Sequence, residues 1–385
     1  MEEVIIIKKV LIVQPHPMTY YPLVSKKISA YHKANGDKVE MVQGRVFGRW
    51  DVCYITTLLS VNISQYISTI EFYKQFADRV EVGGPAATAM WQEIHKETGI
   101  MPHRGLVPEF EAIQMDHSII GPEYGYSQAF ASRGCPRSCK WCLVPIHEPK
   151  FIDKVDNLAE QIDLTRRDLM LMDNNLLFSR KLPEIVEELV TLGFGQSGKR
   201  NARRVDVNQG ADARLFSMDN ARLLRKLNIL PLRFALDSIE NCDAFKKAVE
   251  NAIKVGFKEM SAYMLYNFFD PETGQGDKPS DLFTRLNLVK ELNAKYNIRI
   301  YTFPMKFLPL TARDRKHRSP LWSSIQLRGF QLMKNVCRGV LPTGKASFEK
   351  VVGKSVGEFL LNLRRTDEQV YKKKPVSSNQ MALNF

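Results

Sequence analysis

The sequence predicts an α/β protein: an N-terminal doubly wound, Rossmann-like domain, then a partial (β/α)6 barrel, then a basic helical C-terminal extension. Three observations carry that expectation. The first hundred residues alternate apolar runs with amphipathic helical stretches, which is the pattern of a parallel sheet covered on both faces. From residue 125 the alternation restarts and gives six strand–helix units by residue 310, two short of the eight that close a full barrel. The charge is lopsided: of the net +13, the segment 311–385 supplies +10, with 15 Lys or Arg against 5 Asp or Glu.

In chain order, VLIVQP (10–15) reads as the first strand, and the helix 22–34, PLVSKKISAYHKA, follows it. KVEMVQ (38–43) and DVCYITTL (51–58) are further strands, then comes a helix over 62–76, and RVEVGGP (79–85) ends a strand in glycines. Residues 86–122 read as irregular, because Pro102, Pro108 and Pro122 interrupt any long element. The expected divisions are therefore 1–100 for the front domain, 101–124 for a linker, 125–310 for the barrel and 311–385 for the extension. Within the barrel, strands are expected at 126–132, 168–173, 205–210, 232–237, 259–267 and 299–305. Helices are expected at 154–165, 182–193, 218–227, 242–256 (with Gly256 at its C-terminal end) and 279–296. Two more apolar helices, near 326–337 and 355–363, pack behind the barrel before the KKKP tail.

Composition narrows the function. Hydrophobic residues make up 44% and charged residues 25% of the 385-residue chain, the proportions of a globular protein. No apolar run reaches the roughly 20 residues that span a bilayer. The start, MEEVIIIKKV, carries acids before its apolar run and has no cleavage signature, so it reads as a strand lead-in and the location as cytoplasmic. In a reducing compartment, clustered cysteines point to metal or chemistry and not to disulfides. The basic extension and the cluster GKRNARR (198–204) make nucleic acid a candidate partner through charge, with a solvated surface as the alternative.

The stretch SRGCPRSCKWCLVP (132–145) holds half of the six cysteines, Cys135, Cys139 and Cys142, at the end of the first barrel strand. Four thiolates would close a structural zinc site; three leave a position open. On an iron–sulfur cube three thiolates hold three irons and leave the fourth for another ligand. Gly134 and Pro136 shape the turn, and Arg133, Arg137 and Lys140 stand where they can offset thiolate charge. A zinc site completed by His147 is the alternative from the same residues.

The form CxxxCxΦC, with Trp141 as the aromatic, after the first strand of a six-unit βα pattern, resembles the radical S-adenosylmethionine (SAM) superfamily over residues 125–310. The resemblance implies a [4Fe-4S] cluster on Cys135, Cys139 and Cys142, SAM on the fourth iron, and an electron donor such as flavodoxin or ferredoxin. It implies reductive cleavage of SAM to a 5′-deoxyadenosyl radical that takes hydrogen from a substrate. It places Trp141 near the adenine. Asp173-Asn174-Asn175 occupies the position of the family's Gly-Gly-Glu segment, with the glycines absent, and Asp173 would pair with the SAM ammonium. Asn208, Gln209 and Arg214 would lie at the barrel mouth, with Arg214 on the SAM carboxylate. Asp237 and Ser238 would face ribose hydroxyls or substrate. The fifth strand lacks the family's glycine-rich adenine motif, leaving backbone and apolar contacts around Met264 and Leu265.

The front pattern resembles, in shortened form, the cobalamin-binding domain of one branch of that superfamily. This implies cobalamin as a further candidate cofactor, with Gly83 and Gly84 beside its nucleotide tail and Thr88 capping the next helix. No Asp-x-His-x-x-Gly motif is present, and only about 50 residues separate Gly84 from Cys135. The methylthiotransferase branch does not fit, because its front domain supplies three further cysteines and this one has only Cys53. Cys242 reads as a core thiol, and Cys337, in a basic Cys-Arg-Gly segment, as a core thiol with a second reading as a group acting on substrate. The expected activity is that of a radical SAM enzyme. The alternatives are a cobalamin-dependent radical methylase and a non-catalytic, zinc-stabilised nucleic-acid-binding protein.

Overall fold

The run Val10–Val13 has four successive apolar side chains, none more than 1% exposed. A strand buried on both faces must lie inside a parallel sheet with helices on either side. In the computed structural model, which describes residues 7–16, 21–111, 113–197 and 202–365, that is its position. β1 (Lys9–Gln14) lies between β2 (Lys38–Gln43) and β3 (Trp50–Thr56), and β4 (Ala77–Gly83) completes the order β2-β1-β3-β4, all parallel. On one face Val10, Ile12, Val52 and Tyr54 pack with Ile28 of α1 (Val24–Ala34) and Phe110 of the short α5 (Pro108–Glu111). On the other, Leu11, Val13, Cys53 and Ile55 pack with α2 (Ile63–Tyr73), α3 (Pro85–Ala89) and α4 (Trp91–Thr98). The sheet is doubly wound as expected.

Contacts divide the described residues into two compact units. The first runs to Asn174 and adds Ser179–Lys181 and Pro309–Arg315; the second takes Asn175–Phe178, Leu182–Leu308 and the residues from Lys316 on. The first unit therefore contains the front sheet together with the first two strands expected for the barrel, β5 (Tyr126–Ala129) and β6 (Asp168–Leu171). These pair in parallel from Tyr126↔Asp168 to Ala129↔Leu171. Between them lie the short helices α6 (Val144–His147) and α7 (Leu158–Gln161). The expected boundary at residues 101–124 falls inside this unit.

In the second unit β8 (Leu232–Ala235), β9 (Glu259–Tyr266) and β10 (Arg299–Lys306) form a parallel sheet. β7 (Val205–Val207) is followed by a parallel bridge from Ala211 to Phe234. α8 (Leu182–Leu189), α9 (Met218–Arg225), α10 (Cys242–Lys254) and α11 (Pro279–Tyr296) alternate with these strands. One sheet face is aromatic and helix-covered: Phe234 meets Phe216 and Phe245, and Tyr266 meets Trp322 and Phe330. The basic extension contributes α12 (Ser324–Val336), α13 (Lys345–Val351) and α14 (Val356–Asn362). The KKKP tail and residues 198–201 of the second basic cluster lie outside the described residues. Among the described residues no helix is long and apolar enough to cross a membrane.

Two stretches differ from expectation. Residues 86–98, expected to be irregular, carry α3 and α4. Pro85 sits at the start of a helix, where its missing N–H and fixed φ are tolerated, and Gly99 ends α4 in the left-handed region. The helix expected over 154–165 shrinks to one turn, Leu158–Gln161. Polar side chains there bond the backbone and compete with the helix: Gln161 Oε1 accepts from Phe130 N, and Asp163 Oδ1 accepts from Thr165 N.

Candidate functional site

The cysteine loop leaves β5 at Ala129, and three separate contacts fix its course. Asp173, two residues past β6, accepts hydrogen bonds from Ala131 N at 3.0 Å, Ser132 N at 2.5 Å and Ser132 Oγ at 2.6 Å. Arg133 and Ile152 exchange backbone bonds, which returns the loop to its own start. Gly134 has φ +73°, and a Cβ there would stand 2.3 Å from the Lys150 carbonyl oxygen, so only glycine fits. Beyond it, Cys142 N donates to Cys139 O at 3.0 Å, giving the Cys-x-x-Cys segment a tight turn that leads into α6. All three thiols, Cys135, Cys139 and Cys142, are half-buried.

The electrostatics of the loop base rest on a residue that sequence reasoning missed. Glu148 is 5% exposed and accepts from four donors: Arg133 Nε at 3.0 Å, Arg133 Nη2 at 2.9 Å, Gly134 N at 2.9 Å and Asn174 Nδ2 at 3.2 Å. The Arg133 guanidinium also lies 3.8 Å from the centre of the Phe130 ring. Arg133 was expected to balance thiolate charge; its fork is instead engaged bidentately by Glu148, while Arg137 is half-buried and Lys140 exposed. No sequence signal marks Glu148, because the pairing spans 15 residues and depends on the loop's return.

Asp173, expected to meet the SAM ammonium, is held by the loop's own backbone. It is 1% exposed, both of its oxygens are in use, and burial pushes its carboxyl up to about 6. Its neighbour Asn174 is a further clamp on the loop through Glu148. Asn175, which belongs to the second unit, is buried with Nδ2 3.5 Å from Asp212 Oδ2. Arg214, expected to meet the SAM carboxylate, is paired with Asp212, at 2.7 and 3.0 Å. Of the remaining strand-end residues, Asn208 is half-buried and Gln209 exposed. Asp237 is half-buried and accepts from Leu265 N at 3.1 Å, with burial raising its carboxyl; Ser238 Oγ reaches Glu240 at 3.3 Å. Beneath Asp237, the fully buried Arg285 gathers the carbonyls of Leu236, Asp237 and Leu265 and pairs with Asp277. Trp141 is half-buried in the loop.

The front-sheet glycines do not face open space. Gly84 has φ +110°, and a Cβ would stand 2.2 Å from Thr57 O, so the turn packs closely on the chain leaving β3. Gly83 O accepts from Thr57 N and Thr57 Oγ1, both at 2.9 Å. Thr88 does not cap its helix through a free N–H. Its hydroxyl reaches Gly84 O at 3.1 Å and His147 Nδ1 at 2.8 Å.

His147 is therefore engaged with Thr88, and burial lowers its pKa. Among the described residues no three His, Cys, Asp or Glu side chains converge as they would around one metal ion. A structural zinc needs four ligands within about 2.3 Å of one point. Cys53 and Cys242 are buried or half-buried with thiols pushed up by desolvation, as core cysteines. Burial also pushes the Cys337 thiol up to about 11, which suppresses the thiolate and argues against a role on substrate. In the second basic cluster, Arg203 lies 5.4 Å from the centre of the Phe194 ring, a packing contact.

No protein-family model matches the sequence, and no curated protein matches it. Among solved structures, the chain is similar to HydG, a maturase of the [FeFe]-hydrogenase, at 12% identity and a TM-score of 0.35, covering 79% of this chain and 70% of that one. It is similar also to the HydG of Carboxydothermus hydrogenoformans, at 13% identity and a TM-score of 0.32, covering 81% of this chain and 72% of that one. Likeness at that level leaves the chemistry to be argued from the chain's own residues.

Proposed function

We propose that the protein is a radical SAM enzyme whose cluster is held by Cys135, Cys139 and Cys142. The observation that carries this is the three-thiol loop at the C-terminal end of a parallel strand, with its base closed by Asp173 and Glu148. Ligands in parallel α/β sheets gather at that end of the strands. The thiols fit an iron–sulfur cube in number and type. A cube takes each thiolate at a different iron and leaves the fourth iron open for another ligand.

When bound, the cluster would supply one electron, from a flavodoxin- or ferredoxin-type donor, to split SAM and release a carbon radical. The protein's own part is positional. Gly134 lets the loop turn against the Lys150 carbonyl, and the Asp173 carboxylate pins the backbone three residues before Cys135. Trp141 is the aromatic surface proposed for the adenine. Cobalamin is not proposed.

The test is anaerobic reconstitution with iron and sulfide, followed by reduction with SAM. The expected result is about four irons per chain, as a [4Fe-4S] cluster requires, and reductive formation of 5′-deoxyadenosine. Cys139→Ala should remove the chromophore. One tightly bound zinc and no SAM cleavage would overturn the proposal.

A further inference from the structure

The ion pair at the base of the cysteine loop does not end at Arg133. Arg133 Nη1 lies 3.7 Å from Glu111 Oε2, and the same oxygen receives the Lys27 ammonium at 2.8 Å. Lys27 is on α1, packed on the front sheet, and is 5% exposed. A file of alternating charge thus runs from α1 through Glu111 and Arg133 to Glu148, whose carboxylate meets Gly134 N next to the first thiol. All of it lies within one compact unit.

We infer that Glu148 is the positioning residue of the cysteine loop, and that the Lys27–Glu111 pair of the front domain sets the charge balance around it. Resting on the proposed cluster, this gives the front domain a task toward the site without a cofactor of its own. The reason is electrostatic. Cluster potential follows net charge, hydrogen bonding and burial around the sulfurs. Arg133 sits two residues before Cys135 with little exposure, so water screens it weakly. While Glu148 and Glu111 flank it, its positive charge is cancelled. With either acid neutralised, the surplus charge favours the reduced, more negative cluster.

The inference makes signed expectations. Glu148→Gln keeps the side-chain volume and should raise the midpoint potential of the reconstituted cluster. At one fixed ambient potential the ratio of reduced to oxidised cluster should rise about tenfold, which is about 59 mV for a one-electron couple. Arg133→Met should move it the opposite way. Glu111→Gln, at the most exposed member of the file, should shift it in the direction of Glu148→Gln and by less. A defect of folding alone would lower iron content without giving opposite signs at matched iron content.

The experiment is a redox titration, followed by electron paramagnetic resonance, of the full chain and the three variants at equal iron occupancy. Metal-free samples are run in parallel for hydrogen exchange over residues 131–135. In the metal-free protein Glu148→Gln should speed exchange in that segment by about tenfold or more, since Gly134 N loses a charged acceptor. Should Glu148→Gln not fold, the Glu111→Gln shift and its sign decide. Unchanged potentials, or shifts of one sign for Glu148→Gln and Arg133→Met, overturn the inference. If the wild-type chain takes up no cluster, the proposed function falls, and the exchange measurement still decides whether Glu148 positions the loop.

Discussion

Two glycine turns follow parallel strands in this protein, one after β4 and one after β5, and they serve different ends. Gly84 has φ +110° and a phantom Cβ 2.2 Å from Thr57 O; Gly134 has φ +73° and a phantom Cβ 2.3 Å from Lys150 O. In both, backbone meets backbone, so glycine is required by the chain itself and not by a ligand. The residues after the two turns differ. After Gly84 comes Pro85, which starts a helix, and then Ala86 and Ala87, which sink into the front core. After Gly134 come three half-buried thiols. A glycine turn after a strand frames a site only when the next residues bring ligating chemistry.

The sharpest way to break the comparison is to substitute both glycines. Gly134→Ala should abolish iron uptake on reconstitution, because the loop cannot keep its turn against the Lys150 carbonyl. Gly84→Ala should cost about 2–4 kcal/mol of stability from the left-handed backbone and the overpacked contact, seen as a lower urea midpoint. Its folded fraction should still take up iron. If Gly84→Ala removes the chromophore from folded protein and Gly134→Ala leaves it, the two turns have been assigned the wrong way round.

The acid beside the cysteine turn gives a smaller, pH-dependent test. Asp173 is buried against Ser132 and Ala131, and its carboxyl is raised to about 6. In the unfolded chain it titrates near 3.9. Folding therefore favours its protonated form. The associated stability is complete below about pH 4 and is lost as pH rises to about 6, by up to about 3 kcal/mol. Asp173→Asn should flatten that fall, measured as the difference in denaturation midpoint between the two proteins at pH 4 and pH 7. An identical pH dependence in both would mean that Asp173 is not the buried acid it is taken to be. The front turn contains no acid, so Gly84→Ala should leave the pH profile unchanged.

The same contrast explains what the sequence could carry. β2 at Lys38–Gln43 and α11 at Pro279–Tyr296 were legible to the residue, because hydrophobic period and Pro or Gly punctuation decide them locally. Cys135, Cys139 and Cys142 stand out in the sequence because three thiols fall within eight residues. α3 and α4 were not legible, since Pro85 after two glycines reads as a turn until the helix is seen. Nor were Glu148 and the duties of Asp173: an acid after a strand can cap, ligate or hold backbone, and only burial and the loop's return choose among these. Glu148 became a partner of Arg133 through tertiary folding, which periodicity does not encode.

The smallest expected effect lies in the second unit, at Arg214. The resemblance gave it the SAM carboxylate, yet Asp212 holds its fork at 2.7 and 3.0 Å, and its side chain is 40% exposed. An ion pair so open to water is worth about 0–1 kcal/mol, so Arg214→Ala should lower stability by no more than that. If the guanidinium stays on Asp212 during turnover, the variant should also keep the KM for SAM within about threefold, under 0.7 kcal/mol of binding. A rise of a hundredfold in KM with an unchanged melting temperature would show that the guanidinium leaves Asp212 for the substrate carboxylate. The contrast with Glu148 would then widen: a buried arginine that stays on its acid in one unit, and an exposed arginine that leaves its acid in the other.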